Sequence, residues 1–191
     1  MKQVLFKSGK AFVENTPAPS VEPGTVLVHV EYSCISAGTE ISGVRSSGEP
    51  IWKRALKHPD EVKQVLSMVS DQGIRRIHRM VKGKLTSGTA LGYSAAGKVI
   101  AVGEGISDLV EGDKVACAGA QCAHHAEIIR VPRNLVARMP KDLSMESGST
   151  VTLGTIALHG VCRCEPTLGE TIGVVGLGIL GQLTVQYLQS N

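Results

Sequence analysis

The 191-residue sequence has few aromatic side chains, no long apolar run and no marked excess of either charge. Only 3% of its residues are aromatic although 42% are apolar, so a folded core depends on aliphatic side chains. No segment approaches the roughly 20 apolar residues that a membrane-spanning helix requires. A formal net charge of +3 gives no general electrostatic reason to bind nucleic acid or an acidic membrane surface. We therefore predict no membrane and no nucleic-acid partner.

The cysteines do not follow the pattern of a secreted, disulfide-rich domain. There are five, an odd number, and their spacing fits no disulfide framework. Charged residues interrupt the short apolar run at residues 1–7, which is typical of a strand and not of an export signal. These features predict a cytoplasmic protein with thiol cysteines.

Short strands dominate the pattern up to about residue 140. Val26, Val28 and Val30 alternate with other residues in a β-branched segment, which predicts one strand face directed to a core. A helix is predicted from an N-cap at Ser144 to about Val161. Further strands are predicted at residues 4–7, 97–103, 114–118, 127–131 and 135–138. Several short strands separated by turn residues indicate a barrel or a sandwich.

A helical segment interrupts these strands at about residues 50–84, where apolar residues recur at helical spacing. Residues 41–88 contain ten Lys or Arg against four Asp or Glu, a net charge of +6. This charge fits either a solvated helical face or a patch for an anionic substrate such as a phosphate or a nucleotide-linked sugar. Trp52 is the one aromatic residue of the segment, which argues against a stacking platform for nucleic acid.

The C-terminal part has the pattern of a dinucleotide-binding turn. A strand predicted at residues 170–175 leads into a G-x-G-x-x-G motif, and a helix is predicted to follow it to Gln189. The first glycine permits a tight turn, the second lets a pyrophosphate approach the backbone, and the third lets helix and strand pack closely. The alternative is a glycine-rich turn that binds nothing. The predicted cofactor-binding residues here are Gly176, Leu177, Gly178, Ile179 and Gly181.

Three segments resemble the medium-chain dehydrogenase/reductase superfamily. Residues 23–30 resemble its PGEVLVKV strand, and residues 97–115 resemble its G-x-V-x-x-V-G-x-G-V-x-x-x-x-x-G-D-x-V motif. Residues 125–140 fit the YAEY…vP…iP segment that follows. The resemblance covers nearly the whole chain except the helical segment. It implies a zinc-type alcohol dehydrogenase-like protein that uses NAD or NADP.

The resemblance also implies the domain organisation. Residues 1–150 are expected to form a mainly β, GroES-like barrel domain that contains the helical insert. Residues 151–191 are expected to form a connecting helix and the first βα unit of a truncated Rossmann α/β domain. We expect these 191 residues alone to be inactive, and the apolar face of their tail predicts a homo-oligomer.

A closer similarity points to one branch of the superfamily. Residues 36–40, 91–93 and 165–171 resemble proteins in which the dehydrogenase half is fused to a glucose–fructose oxidoreductase-type domain. That branch is often associated with surface polysaccharide biosynthesis. The resemblance implies a small-molecule substrate of the sugar class, such as an anionic or nucleotide-linked sugar.

The same alignment implies that the catalytic zinc is absent. Zinc members place a cysteine in a turn that reads Ser36 here, a histidine where this sequence has Tyr93, and a third ligand near Val151. Tyrosine, serine and valine do not form a zinc site. A separate cluster invites a test as an adventitious metal site, although its spacing fits no zinc motif, and the alternative is buried thiols beside surface histidines. The cluster consists of Cys117, Cys122, His124 and His125.

Without zinc, a hydroxyl group is the simplest donor to the oxygen of a carbonyl substrate. The resemblance implies that Tyr93 faces the site, that Thr39 matches the proton-relay hydroxyl, and that Ser36 is a further candidate. Thr155 matches a residue on the nicotinamide side. Each also has a structural alternative, since tyrosines fill cores and turn hydroxyls bind the backbone. A second class of function, a non-catalytic scaffold with this fold, stays open, although the intact glycine motif favours the enzyme.

Overall fold

A computed structural model describes the protein over residues 1–47 and 88–190. The predicted helical insert at about residues 50–84 lies outside the described residues. Within the described ranges, no helix is long and apolar enough to cross a membrane. The described residues divide into two compact units, residues 1–17 with 35–47 and 88–91, and residues 18–34 with 92–190.

The described residues form eight strands, four α-helices and one short 3-10 helix at Arg133–Leu135. The strands are β1 (Lys2–Lys7), β2 (Lys10–Asn15), β3 (Thr25–Ser33), β4 (Thr89–Ala90), β5 (Ser94–Val102), β6 (Lys114–Ala118), β7 (Ile128–Pro132) and β8 (Val136–Arg138). The α-helices are α1 (Ala37–Ser47), α2 (Met145–Gly148), α3 (Val151–Cys164) and α4 (Ile179–Gln189).

The first unit contains a three-stranded antiparallel sheet in the order β2-β1-β4, together with α1. A two-residue turn joins β1 to β2, with φ of 51° at Ser8 and 77° at Gly9. Positive φ at both central residues matches the twist of a tight hairpin. Strand β2 was not predicted, because serine followed by glycine is a weaker hairpin indicator than asparagine followed by glycine.

The second unit contains a five-stranded antiparallel sheet in the order β7-β3-β5-β6-β8. Val26 and Val28 on β3 are fully buried, which confirms the predicted apolar strand face. Their core cluster contains Ala95 and Val99 of β5, whereas Ala96 belongs to a second, smaller cluster. Both faces of β5 are therefore buried over its first four residues. The antiparallel sheets fit the GroES-like domain that the resemblance implies.

The helix predicted from Ser144 to about Val161 is two helices in the structure. Ser144 caps α2 as predicted, because its hydroxyl accepts a hydrogen bond of 3.1 Å from the Ser147 N–H. The chain then breaks before α3, where the Ser94 hydroxyl donates to the Ser149 carbonyl and accepts from the Thr152 N–H. A side chain inserted between helical hydrogen-bonding partners separates the two helices.

The strand predicted at residues 170–175 is absent from the structure. A parallel strand needs neighbours for its hydrogen bonds, and no strand among the described residues pairs with this segment. Helix α4 ends at Gln189 as predicted, and it packs against α3, where Tyr187 lies beside Gly154. The glycine turn and α4 fit the start of a Rossmann domain. The predicted domain boundary at residue 150 stays a prediction.

Candidate active site and cofactor turn

The three motif glycines have the geometries that a dinucleotide-binding turn needs. Gly176 has a φ of 96°, a left-handed conformation that favours glycine and permits the tight turn. A Cβ atom on Gly178 would meet no atom within 4 Å, so the backbone there is open to a close approach. A Cβ atom on Gly181 would lie 1.8 Å from the Gly176 carbonyl oxygen, so only glycine fits this close packing.

The turn presents the N-terminus of α4 to the outside. Gly178 is the residue before the helix, and no side chain among the described residues caps it. Gln182 stabilises the turn from within the helix, because its side-chain amide donates to the Leu177 carbonyl at 3.0 Å. Leu177 and Ile179 are both exposed. The free N–H groups and partial positive charge of a helix start suit an anionic pyrophosphate.

Tyr93 lies at a bend immediately before β5 and is half-buried. Its carbonyl accepts two hydrogen bonds, one from the Gly119 N–H and one from the Thr152 hydroxyl, both at 2.9 Å. Its own hydroxyl makes no hydrogen bond with another described residue. The backbone of Tyr93 is therefore fixed from two sides.

The turn that carries Tyr93 packs tightly against the segment containing His124 and His125. Gly92 has a φ of 100°, and a Cβ atom there would lie 2.7 Å from the backbone nitrogen of His125. The Nδ1 atom of the His125 ring lies 2.8 Å from the Ser33 hydroxyl. His125 is buried, so the prediction of a surface histidine is wrong at this position.

Thr155 lies on the exposed side of α3, three residues after Thr152. Its hydroxyl donates to the Val151 carbonyl within the helix at 2.9 Å. The neighbouring residues Leu153 and Gly154 are buried, so their side of α3 packs against the rest of the second unit. The geometry leaves the Thr155 side chain accessible to a ligand on the outer face of α3.

Ser36 immediately precedes α1 and Thr39 lies in its first turn, whereas both were expected in a turn. The Ser36 N–H donates to a carboxylate oxygen of Glu40 at 2.9 Å, and the Glu40 N–H donates to the Ser36 carbonyl at 2.9 Å. The hydroxyls of Ser36 and Thr39 are 3.5 Å apart, so the structure brings these two candidates together. Glu40 is the residue that sequence reasoning missed. Glu40 follows Ser36 by four residues, one more than in a capping box, so the local sequence carried no standard indication of this helix start.

The cysteines and histidines of the proposed cluster have other partners. Burial raises the pKa of the Cys117 thiol to about 12, so this side chain is a thiol in the metal-free protein. The Cys122 thiol faces the Ala118 carbonyl at 3.4 Å, and Nε2 of His124 lies 3.2 Å from the Ala120 carbonyl. Burial lowers the pKa of His124. Within residues 1–47 and 88–190, no three of the metal-binding residue types form a group that could hold an ion.

The curated relatives of the chain include polyol and butanediol dehydrogenases. It is 28% identical over 159 residues to galactitol 1-phosphate 5-dehydrogenase of Escherichia coli, an alignment that covers 69% of this chain and 45% of the relative. It is 25% identical over 205 residues to (R,R)-butanediol dehydrogenase of Bacillus subtilis, covering 93% of this chain and 51% of the relative. The chain thus spans about half the length of these relatives. No family model matches it.

The crystal structure of galactitol-1-phosphate dehydrogenase from Escherichia coli superposes on the whole chain with a TM-score of 0.74 at 20% identity. The aligned part is 53% of that enzyme. The chain has the fold of the medium-chain dehydrogenases. Its relatives and structural neighbours are oxidoreductases of the zinc-type alcohol dehydrogenase-like class. The glycine turn and the Tyr93 bend both belong to this fold. The roles of the individual site residues stay predictions.

Proposed function

We propose that this chain is the N-terminal portion of an NAD(P)-dependent oxidoreductase of the medium-chain dehydrogenase type. The observation that carries the proposal is the glycine turn. Gly176 has a positive φ, Gly178 has open space beside its backbone, and Gly181 makes a close contact, which is the order that a pyrophosphate-binding turn requires. A scaffold protein has no need of this geometry. Gly176, Gly178 and Gly181, with Leu177 and Ile179 between them, would hold the pyrophosphate.

NAD(P), when bound, exchanges a hydride with the substrate carbon. The chain must then stabilise the substrate oxygen, on which negative charge develops during carbonyl reduction. Tyr93 is our candidate donor, because its backbone is fixed and its hydroxyl has no described hydrogen-bonding partner. Thr39 is our candidate for the proton-relay hydroxyl, Ser36, whose hydroxyl is 3.5 Å away, is a further candidate, and Thr155 would contact the nicotinamide side.

We propose a sugar or nucleotide-linked sugar as the substrate. One relative acts on galactitol 1-phosphate, an anionic sugar alcohol. The net charge of +6 over residues 41–88 would favour an anionic substrate of this kind. The similarity of residues 165–171 to the fused branch supports the same substrate class and a further glucose–fructose oxidoreductase-type domain in the intact protein.

We further propose that catalysis is independent of zinc. Ser36, Tyr93 and Val151 occupy the positions that carry ligands in zinc members, and none of these side chains is a zinc ligand of the usual kind. The intact protein is proposed to be a cytoplasmic homo-oligomer, and residues 1–191 alone are proposed to be inactive. Metal analysis of the purified, active protein tests the zinc proposal, because stoichiometric zinc that is required for turnover would contradict it.

Nicotinamide binding is the test of the proposed function. Calorimetry on the intact natural protein with NAD(H) and NADP(H) should show saturable binding, and Gly178→Val should weaken it at least tenfold. Gly173→Val is the matched control, because a Cβ atom there also meets nothing within 4 Å but lies before the motif. A folded wild-type protein that binds neither cofactor would contradict the enzyme proposal and favour the scaffold.

A further inference from the structure

A pair of hydroxyls connects the Tyr93 bend to the first turn of α3. Ser94, the residue after Tyr93, has a side chain that is fully buried. Its hydroxyl donates to the Ser149 carbonyl at 2.6 Å and accepts from the Thr152 N–H at 3.1 Å. The Thr152 hydroxyl returns to the bend, where it donates to the Tyr93 carbonyl at 2.9 Å.

These bonds satisfy groups that the break between α2 and α3 would otherwise leave without partners. The Thr152 N–H lies in the first turn of α3, where amide groups lack a helical acceptor. A buried polar group without a partner is costly, so the Ser94 hydroxyl contributes both as donor and as acceptor. Thr152 donates through its N–H to the Ser94 hydroxyl and through its own hydroxyl to the Tyr93 carbonyl. These two bonds join the bend and the start of α3 into one rigid junction.

The junction joins two candidate site residues. Tyr93 lies on one side of it, and Thr155 lies on α3 three residues beyond Thr152, about 4.5 Å further along the helix axis. If Tyr93 donates to the substrate oxygen and Thr155 contacts the nicotinamide side, the junction sets the separation between proton donor and hydride carrier. Errors of about 1 Å in such a separation reduce rates by about 100-fold.

We infer that Ser94 and Thr152 are positioning residues of the active site. This inference rests on the proposed function. The Thr152 hydroxyl fixes Tyr93 by donating to the Tyr93 carbonyl. The Ser94 hydroxyl fixes Thr152 by accepting from the Thr152 N–H. Neither residue touches the reacting atoms. Their loss should therefore lower the rate of the chemical step and leave the binding of substrate and cofactor unchanged.

The test compares Thr152→Val with Thr152→Ser in the intact natural protein, using NAD(P)H and the best sugar carbonyl found in a screen. Valine removes the hydroxyl at nearly constant volume, whereas serine retains it. We expect Thr152→Val to lower kcat about tenfold with KM and cofactor affinity within twofold of wild type, and Thr152→Ser to restore most of the rate.

Thr150→Val is the matched control. Its hydroxyl donates to the Ser147 carbonyl at 2.8 Å, so the same substitution removes a similar hydrogen bond that does not reach Tyr93. Its kcat should match that of wild type. Thermal unfolding of all three variants separates positioning from stability, because a kcat loss that follows the melting temperature in both valine variants would overturn the inference.

The possible failures are distinguishable. A wild-type protein that binds no nicotinamide cofactor overturns the proposed function and the positioning role together. An active wild type with an equally active, folded Thr152→Val overturns the positioning role alone. A Thr152→Ser variant as slow as Thr152→Val also overturns it, because the hydroxyl would then not be the group that matters.

Discussion

The five-stranded sheet and the C-terminal segment of residues 166–190 cover their apolar side chains to very different degrees. Val115 in the sheet is 0% exposed, whereas Val175 before the glycine turn is 102% exposed. Each strand of the sheet pairs with at least one other strand of the chain, and helix α4 has no buried residue. The sheet therefore contains the main sources of stability, while the segment contains the candidate cofactor site.

This comparison has one exception within the C-terminal segment. Gly181 packs so closely on Gly176 that no side chain fits between them. The conformation of the turn is thus encoded locally, even though little packs against the residues around it. Stability and cofactor binding should consequently respond to different substitutions.

The largest difference between the regions should appear when a methyl group is added to a glycine. In Gly97→Ala, the new Cβ would lie 2.0 Å from the His29 carbonyl oxygen on the neighbouring strand, where only backbone atoms could move. We expect a loss of about 3 kcal/mol in the free energy of unfolding. Gly173→Ala in the C-terminal segment meets nothing within 4 Å and should change it by less than about 0.5 kcal/mol. Urea unfolding followed by circular dichroism measures both, and equal losses would contradict the comparison.

Removing apolar atoms should give the next largest difference. Val115→Ala leaves a cavity in the core cluster and should cost about 2 kcal/mol, from lost burial and the cavity together. Val175→Ala removes the same two methyl carbons from an exposed side chain and should leave the unfolding midpoint unchanged. A marked loss in Val175→Ala would show that residue 175 is covered in the protein in solution.

Features that depend on neighbouring residues could be predicted from the sequence, whereas features that depend on contacts with distant residues could not. The buried face of β3 and the glycine turn were predictable, because alternation and the G-x-G-x-x-G spacing are local patterns. Helix α1 was missed because the resemblance placed Ser36 and Thr39 in a turn, while a contact at the helix start is the Glu40 carboxylate on the Ser36 N–H. The local pattern at residues 170–175 is that of a strand, but pairing requires a neighbour that the local sequence does not specify.

The Ser94 junction could not be predicted for the same reason. Its hydroxyl bonds to residues that are 55 and 58 positions away in the sequence. Nothing in the sequence around Ser94 distinguishes it from other serines in strands. The candidate role of Tyr93 rests on resemblance and stays a prediction, whereas the contacts that fix its backbone required the structure.

Gly181→Ala should separate cofactor binding from stability. The added Cβ would collide with the Gly176 carbonyl and open the turn, so we expect NAD(P)H affinity in the intact protein to fall at least tenfold, or about 1.4 kcal/mol. The unfolding midpoint should stay near that of wild type. Gly160→Ala, a helix-interior position with nothing within 4 Å, should leave affinity unchanged and stabilise α3 by about 0.5–1 kcal/mol. Unchanged affinity in Gly181→Ala would remove the turn from cofactor binding.

The smallest effects should come from two exposed carboxylates, one in the loop between β5 and β6 and one in the C-terminal segment. Hydrogen bonds from the Arg133 guanidinium hold the pKa of Asp108 below its usual 3.8. The backbone N–H of Thr167 similarly lowers the pKa of Glu170 below 4.5. Because both folded-state values are depressed, each carboxylate stabilises the fold at neutral pH. That stabilisation is lost as the pH falls from about 4 through the folded-state value.

Salt should distinguish the two carboxylates, because their partners differ in charge. Asp108 is hydrogen-bonded to a positively charged guanidinium, whereas Glu170 is hydrogen-bonded to a neutral backbone amide. Salt at about 1 M shortens the screening length to roughly 3 Å and so weakens the charge–charge attraction on Asp108. A carbon-13 NMR titration of the side-chain carboxyls at low and high salt should show the pKa of Asp108 rising towards 3.8 while that of Glu170 changes less. Asp108→Asn should abolish the salt-dependent part of the acid transition. Equal salt sensitivity of the two groups would mean that the Arg133 contact is not maintained in solution.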